Sequence, residues 1–149
     1  MTASALAAVM TGPGKTEIRE LPLPDHGKNG GLLRVDLCGV SEADPVLFRR
    51  GDLAPAILGH EIIGTIECAG TSASALWQAK EGDRVIMQEY LPCRACAWCA
   101  KGEYRLCSAA QIGAPGALRY GMTSVDVAPG LWGGFAQCLY LHPQSVLHL

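Results

Sequence analysis

The chain has 149 residues, a net charge of −2 and 17% charged residues. That length suits one domain with a real core and leaves little room for two. The balanced charge offers no broad basic footprint for nucleic acid or for an anionic membrane, so a small-molecule substrate is the expected partner. Seven cysteines, an odd number, exclude a complete internal disulfide framework. No apolar run approaches the roughly 18 residues that a membrane span needs. The opening "ASALAAVM" lacks the basic flank of a secretory signal and runs directly into "TGPGK". A cytoplasmic chain with reduced thiols is expected, and metal binding becomes the leading use for several of them.

In chain order, the strand-like runs are "SALAAVM", "KTEIREL", "GLLRVDLCGV", "EIIGTIECAG", "DRVIMQEY" and "GFAQCLYL". Eighteen glycines and nine prolines punctuate them, in stretches such as "LPLPDHGKNGG" and "APGLWGG". In the third run Leu33, Val35 and Leu37 alternate with Arg34, Asp36 and Cys38, the period-2 pattern of a half-buried strand. Helix is scarce. "EADPVLFRRG" offers a turn or two, with Pro45 tolerated near its start. The expected class is mainly β, rolled into a barrel or two curved sheets.

Between the fifth and sixth runs lies "EYLPCRACAWCAKGEYRLCS", residues 89–108, with Cys93, Cys96, Cys99 and Cys107. Two-residue gaps let three thiols converge, and a longer loop brings the fourth to the open corner of a tetrahedron. This suits a closed structural Zn²⁺ site. A redox pair explains only two of the four, and a ferredoxin-type cluster needs its fourth Cys after three residues and before Pro. Four thiolates around Zn²⁺ carry a net negative charge, which Arg94, Lys101 and Arg105 are placed to offset. With all four corners filled by protein, the lobe is a stability device and any chemistry lies elsewhere. Cys38, Cys68 and Cys138 sit in strand-like runs and read as small core or near-core residues.

The ordered set "AAVMTGPGKTEIRELPLP", "LLRVDLCGVSEAD", "LGHEIIGTI", "EGDRV", the four-cysteine lobe and "GGFAQCLYL" resembles the zinc-containing medium-chain dehydrogenases/reductases, the alcohol dehydrogenase-like family. The resemblance covers essentially residues 1–149. It implies the GroES-like catalytic domain of an NAD(P)-dependent oxidoreductase, a partly open β-barrel with a structural-zinc lobe at about 89–108. It also implies a homodimer or homotetramer for the full-length protein. His60 matches a ligand of the family's catalytic zinc, and Glu61 lies at or near that metal, so both are expected in the active-site cleft. Asp44 anchors the match of "GVSEAD" to the family's "G-[IV]-C-x-[ST]-D" segment.

That match puts Ser41 where the first cysteine ligand belongs, Ala43 at the usual relay hydroxyl and Val46 at a relay histidine of some members. A neutral hydroxyl is a far poorer zinc ligand than a thiolate. Cys38 stands three residues earlier, an odd offset that turns an extended side chain to the opposite face. The expectation is therefore an atypical catalytic-zinc site, and a zinc-independent reductase acting on an activated acceptor becomes an option. No G-x-G-x-x-G follows a strand in this sequence, so the nucleotide-binding Rossmann domain is expected outside these residues. The fragment alone is then inactive, and an exposed edge with an apolar patch would favour self-association. The alternative is a stand-alone zinc-stabilised binding or scaffold module without catalysis. Phe48, Leu53 and Trp132 are candidate pocket-lining residues by position.

Overall fold

The computed structural model describes residues 3–149. Each strand-like run of the sequence contains a strand. β1 (Ser4–Gly12) and β2 (Lys15–Pro22) form an antiparallel hairpin, and β1 buries Ala5, Ala7 and Val9 on one face. β3 (Gly31–Gly39) is followed by helix α1 (Ala43–Arg50) and the two-residue β4 (Ala56–Ile57), which pairs with β1. β5 (Glu61–Ala69), helix α2 (Thr71–Trp77) and β6 (Arg84–Met87) come next. Beyond the cysteine lobe, with its four-residue helix α3 (Ala97–Ala100), β7 (Cys138–Leu141) and β8 (Leu147–His148) complete the chain.

The strands make two antiparallel sheets, ordered β2-β1-β4 and β7-β3-β5-β6-β8. Residues 134–137 stitch them together: Gly134 N–H donates to Gly59, Phe135 N–H to Leu58 and Gln137 N–H to Leu6, while Ala8 N–H donates to the Phe135 carbonyl. The sheets curve around one core without closing, the partly open GroES-like barrel that the resemblance implied. Leu33, Ile62, Ile66, Val85, Trp132, Leu139 and Leu141 fill it, with Tyr120 and Trp77 against them. Trp132 is 1% exposed and its indole N–H donates to the Val127 carbonyl at 2.7 Å. It is a core residue.

Two local departures from the sequence pattern matter. The simple alternation of β3 does not persist: a bulge between Val35 and Leu37, opposite Gly64 and Ile63, shifts the register. Beyond it Leu37 faces out, 61% exposed, and Cys38 packs against the core. The other departure is α2, a helix that the sequence did not announce. Ala73 and Trp77, four residues apart, bury on one side of it, and the Trp77 indole donates to the Pro143 carbonyl. α1 fulfils its expectation, with Pro45 in the first turn and Gly51 ending it in a left-handed conformation. Among the described residues no helix is long and apolar enough to cross a membrane.

Candidate functional site

Ser41, Asp44 and His60 meet where β3 ends, α1 begins and the chain turns into β5. Ser41 and Asp44 hold each other in the turn that leads into α1, whose N-cap is Glu42. The Ser41 hydroxyl accepts from Ala43 N–H at 3.2 Å and donates to Asp44 Oδ2 at 3.0 Å, and Asp44 Oδ2 also accepts Ser41 N–H at 2.8 Å. The hydroxyl is thus engaged in the turn before α1. Asp44, 3% exposed, uses its other oxygen twice over: Oδ1 accepts Gly59 N–H at 3.4 Å and lies 3.7 Å from His60 Nδ1. His60 Nδ1 is buried and has no hydrogen-bond partner. The ring keeps 13% exposure and borders a cleft of about 600 Å³.

Leu37, Ile63 and Ile86 make the apolar wall of that cleft, and Glu61, Gln88, Glu89 and Tyr90 its polar side. Glu61 is exposed and lies against Gly39, where an added Cβ would sit 2.5 Å from its carboxylate. Glu89 is gripped by Arg119 at 3.0 and 2.7 Å, and the guanidinium lies 4.2 Å above the Tyr90 ring. This pair carried no signal in the sequence beyond a charge of each sign. Asp44 also borders a smaller apolar hollow of about 260 Å³ between α1 and β1, lined by Met10, Pro45, Phe48 and Phe135. Phe48 is therefore pocket-lining as expected. Leu53 lines a separate groove with Leu47, Ile112 and Met122.

Cys38 is half-buried at the edge of the site. A Cβ on Gly59 or Gly134 would lie 2.7 or 2.5 Å from its sulfur, so those two glycines leave just enough room for it. Burial, and then the Asp44 charge, push its thiol up to about 11. Its side chain packs against the core beside those glycines. The donor set for a catalytic zinc is poor: the Ser41 hydroxyl is engaged by Ala43 N–H and Asp44, Cys38 packs against the core, and Ala43 and Val46 offer no polar side-chain atom. Of the residues matching the family's catalytic-zinc site, His60 and Glu61 alone keep a donor side chain free for a metal, without the thiolate of the resembled enzymes, a poor fit to that metal.

The cysteine lobe does fit one. The sulfurs of Cys93, Cys96, Cys99 and Cys107 all lie within 4.8 Å of one another, with Cys93 to Cys99 at 3.9 Å and Cys96 to Cys99 at 3.5 Å. A tetrahedron with Zn–S bonds of about 2.3 Å has edges of about 3.8 Å. Of the side chains expected to supply compensating charge, the Arg94 guanidinium reaches the Ser145 carbonyl, and Lys101 lies 5.6 Å over the Trp98 ring. Backbone dipoles act on the sulfurs directly. Cys93 N–H donates to Cys107 Sγ at 3.3 Å and Ala95 N–H to Cys93 Sγ at 3.5 Å, and the Ala95 and Cys96 amides bring the Cys93 thiol down to about 6. Cys99 is pushed up to about 12, chiefly by burial, a cost that a divalent cation among the sulfurs reverses.

With this geometry in view, the sequence profile of the alcohol dehydrogenase GroES-like domain matches residues 27–149. The chain belongs to that family. Over 144 residues this GroES-like domain is 38% identical to a protein of Mycobacterium tuberculosis named a probable alcohol dehydrogenase, covering 95% of this chain and 38% of that one. It superposes on the alcohol dehydrogenase of Thermotoga maritima with a TM-score of 0.75 at 22% identity, covering 98% of this chain and 40% of the other. It also superposes on the acetophenone reductase of Geotrichum candidum, solved in complex with NAD, with a TM-score of 0.72 at 24% identity, covering 99% and 40%. Both likenesses establish the GroES-like fold. The domain spans little more than a third of the length of the curated relative it matches.

Proposed function

We propose that these residues are the substrate-side domain of an NAD(P)-dependent alcohol dehydrogenase-like oxidoreductase, working with a nucleotide-binding domain in the same longer polypeptide. The observation that carries this reading is the cleft, where His60 and Glu61 stand beside the apolar wall of Leu37, Ile63 and Ile86. A polar handle for one oxygen next to an apolar surface suits a small alcohol or carbonyl compound. The names of the similar proteins, an alcohol dehydrogenase and an NAD-bound reductase, support the same chemistry. Cys93, Cys96, Cys99 and Cys107 hold a structural zinc, whose contribution is to cross-link residues 93–107 into a folded lobe. The full-length protein works in the cytoplasm as a homodimer or homotetramer.

Within this reading the chain's own residues bind and orient the substrate. Its carbon skeleton lies on Leu37, Ile63 and Ile86, and its oxygen points to His60. The test is an assay of the full-length protein with alcohols, polyols, ketones and conjugated enones, each offered with NAD and NADP in the appropriate redox state. Turnover of the nicotinamide with any of them is expected. A folded, zinc-containing protein that oxidises or reduces none of these classes would sink the proposal. One observation favours a second reading, a zinc-stabilised binding module: Ser41, Ala43 and Val46 together lack the thiolate, hydroxyl and imidazole of the resembled enzymes. That module would retain a small carbonyl ligand without turnover.

A further inference from the structure

We propose that His60, oriented by Asp44, takes the substrate oxygen directly, and that this cleft performs hydride transfer without a catalytic metal; the proposal rests on the oxidoreductase reading above. The case begins with the disagreement between the resemblance and the donor atoms. A thiolate is absent from the cleft because Ser41 replaces it, and the serine hydroxyl is itself occupied by Ala43 N–H and Asp44 Oδ2. Cys38 stands three residues earlier and packs against the core beside Gly59 and Gly134.

What remains is a pair. Asp44 is held by three N–H or O–H donors and presents Oδ1 toward a buried imidazole nitrogen that has no other partner. The 3.7 Å separation exceeds a hydrogen bond, but a shift of under an ångström closes it, and catalytic contacts commonly tighten when substrate binds. A carboxylate only accepts, so Nδ1 carries the proton and Nε2 keeps its lone pair. The ring's remaining exposure opens on the cleft, beside the apolar wall.

The chemistry then balances without a Lewis acid. As an alcohol is oxidised, its O–H proton passes to Nε2 and its C–H hydride, with both electrons, passes to the oxidised nicotinamide, leaving a carbonyl compound and the reduced nucleotide. Asp44 stabilises the imidazolium, which returns its proton to water. In the reductive direction the imidazolium gives that proton to the carbonyl or enolate oxygen. His60 is the catalytic residue and Asp44 the positioning residue. The titratable groups around the ring are Asp44 from α1, Cys38 near the end of β3, Glu61 at the start of β5, and Glu89 and Tyr90 beyond β6, with Glu89 tied to Arg119.

The experiment takes the full-length protein, purified without added metal, and compares wild type with His60→Gln and Asp44→Asn. Elemental mass spectrometry is expected to find one zinc per chain in all three. A second zinc that disappears in His60→Gln would overturn the proposal. Imidazole nitrogen NMR is expected to find the Nδ1–H tautomer for His60, displaced in Asp44→Asn; an Nε2–H tautomer unmoved by that variant would equally overturn it. In turnover, His60→Gln should lower kcat by about 100-fold or more and remove the acidic limb of the kcat/KM profile. An unchanged profile contradicts the role. If wild type turns over no substrate, the oxidoreductase reading fails, while the zinc count and the tautomer still decide the Asp44 and His60 relationship.

Discussion

Arg94 holds a left-handed backbone, φ 58°, and from it sends its guanidinium to the carbonyl oxygen of Ser145, 51 residues further along and 2.5 Å away. The strained residue is the first of the loop between Cys93 and Cys96, so the metal lobe is tied to the turn before β8 through one side chain. The conformation costs an L-residue about 1–2 kcal/mol, and a hydrogen bond from a charged donor contributes about 1.5–3 kcal/mol. Arg94→Ala keeps the strain and loses the tether, whereas Arg94→Gly loses the tether and relieves the strain. Denaturant unfolding at saturating zinc should place the alanine variant about 1 kcal/mol below the glycine variant. The reverse order would refute this account of the loop.

The lobe has its own small core, in which Cys99, Cys107 and Ala110 are buried against Tyr90 and Tyr104. Removing zinc with a strong chelator should therefore melt residues 93–110 while the barrel persists. Hydrogen exchange followed by mass spectrometry checks this. Amides of the lobe should exchange quickly after chelation, and those of β3 and β5 should stay protected. Equal loss of protection everywhere would show that the barrel depends on the metal.

Glu89 and Arg119 form a bidentate pair with side chains only 18% and 15% exposed. Glu89→Gln leaves a largely buried guanidinium without its carboxylate and should cost about 3 kcal/mol in urea unfolding. Replacing both partners, Glu89→Leu with Arg119→Met, removes the unpaired charge and should recover at least half of that loss. A double variant no better than Glu89→Gln would assign the stability to the stacking of Arg119 on Tyr90.

The Cys38 thiol, raised from 9.0 to about 11, gives the fold an alkaline weakness. In the folded state the thiol holds its proton more tightly than in the unfolded chain. Its contribution is complete below the unfolded value and is lost as pH rises from about 9 through about 11. Cys138, also raised to about 11 by burial and then by Glu67, and buried Tyr120 act in the same direction. Comparing unfolding at about pH 8 and about pH 10.5, Cys38→Ala should show a smaller fall than wild type. An equal fall would mean that Cys38 does not sense the interior.

Six of the eight strands were legible because their apolar and β-branched residues fall between glycine and proline stops, and the lobe because thiols at such short spacing have few other uses. The bulge at Asp36 was not, since it is set by pairing across to β5 and not by any residue of β3. α2 was hidden because Gly70 starts it without a side-chain cap and small residues fill it; burial of Ala73 and Trp77 selects the helix. Ser41 was readable as a missing thiolate. Its pairing with Asp44 was also present as an S-x-x-D spacing, a signal that goes unnoticed when the segment is compared only with enzymes that bind metal there. The Arg119 and Glu89 pair joins residues 30 apart and leaves no local trace.

Asp44 has a mechanical consequence as well as a chemical one. Because one carboxylate binds the Ser41 turn before α1 and the Gly59 backbone and stands 3.7 Å from the edge of the His60 ring, the placing of helix and ring depends on the same group. One turn further along α1, Phe48 borders the apolar hollow. A bulkier residue at Ala8 or Thr16 on the hollow's opposite wall would brace the helix and fix the imidazole, so adjustment of the reacting group is open to changes made in the β1 and β2 hairpin, out of reach of any substrate in the cleft.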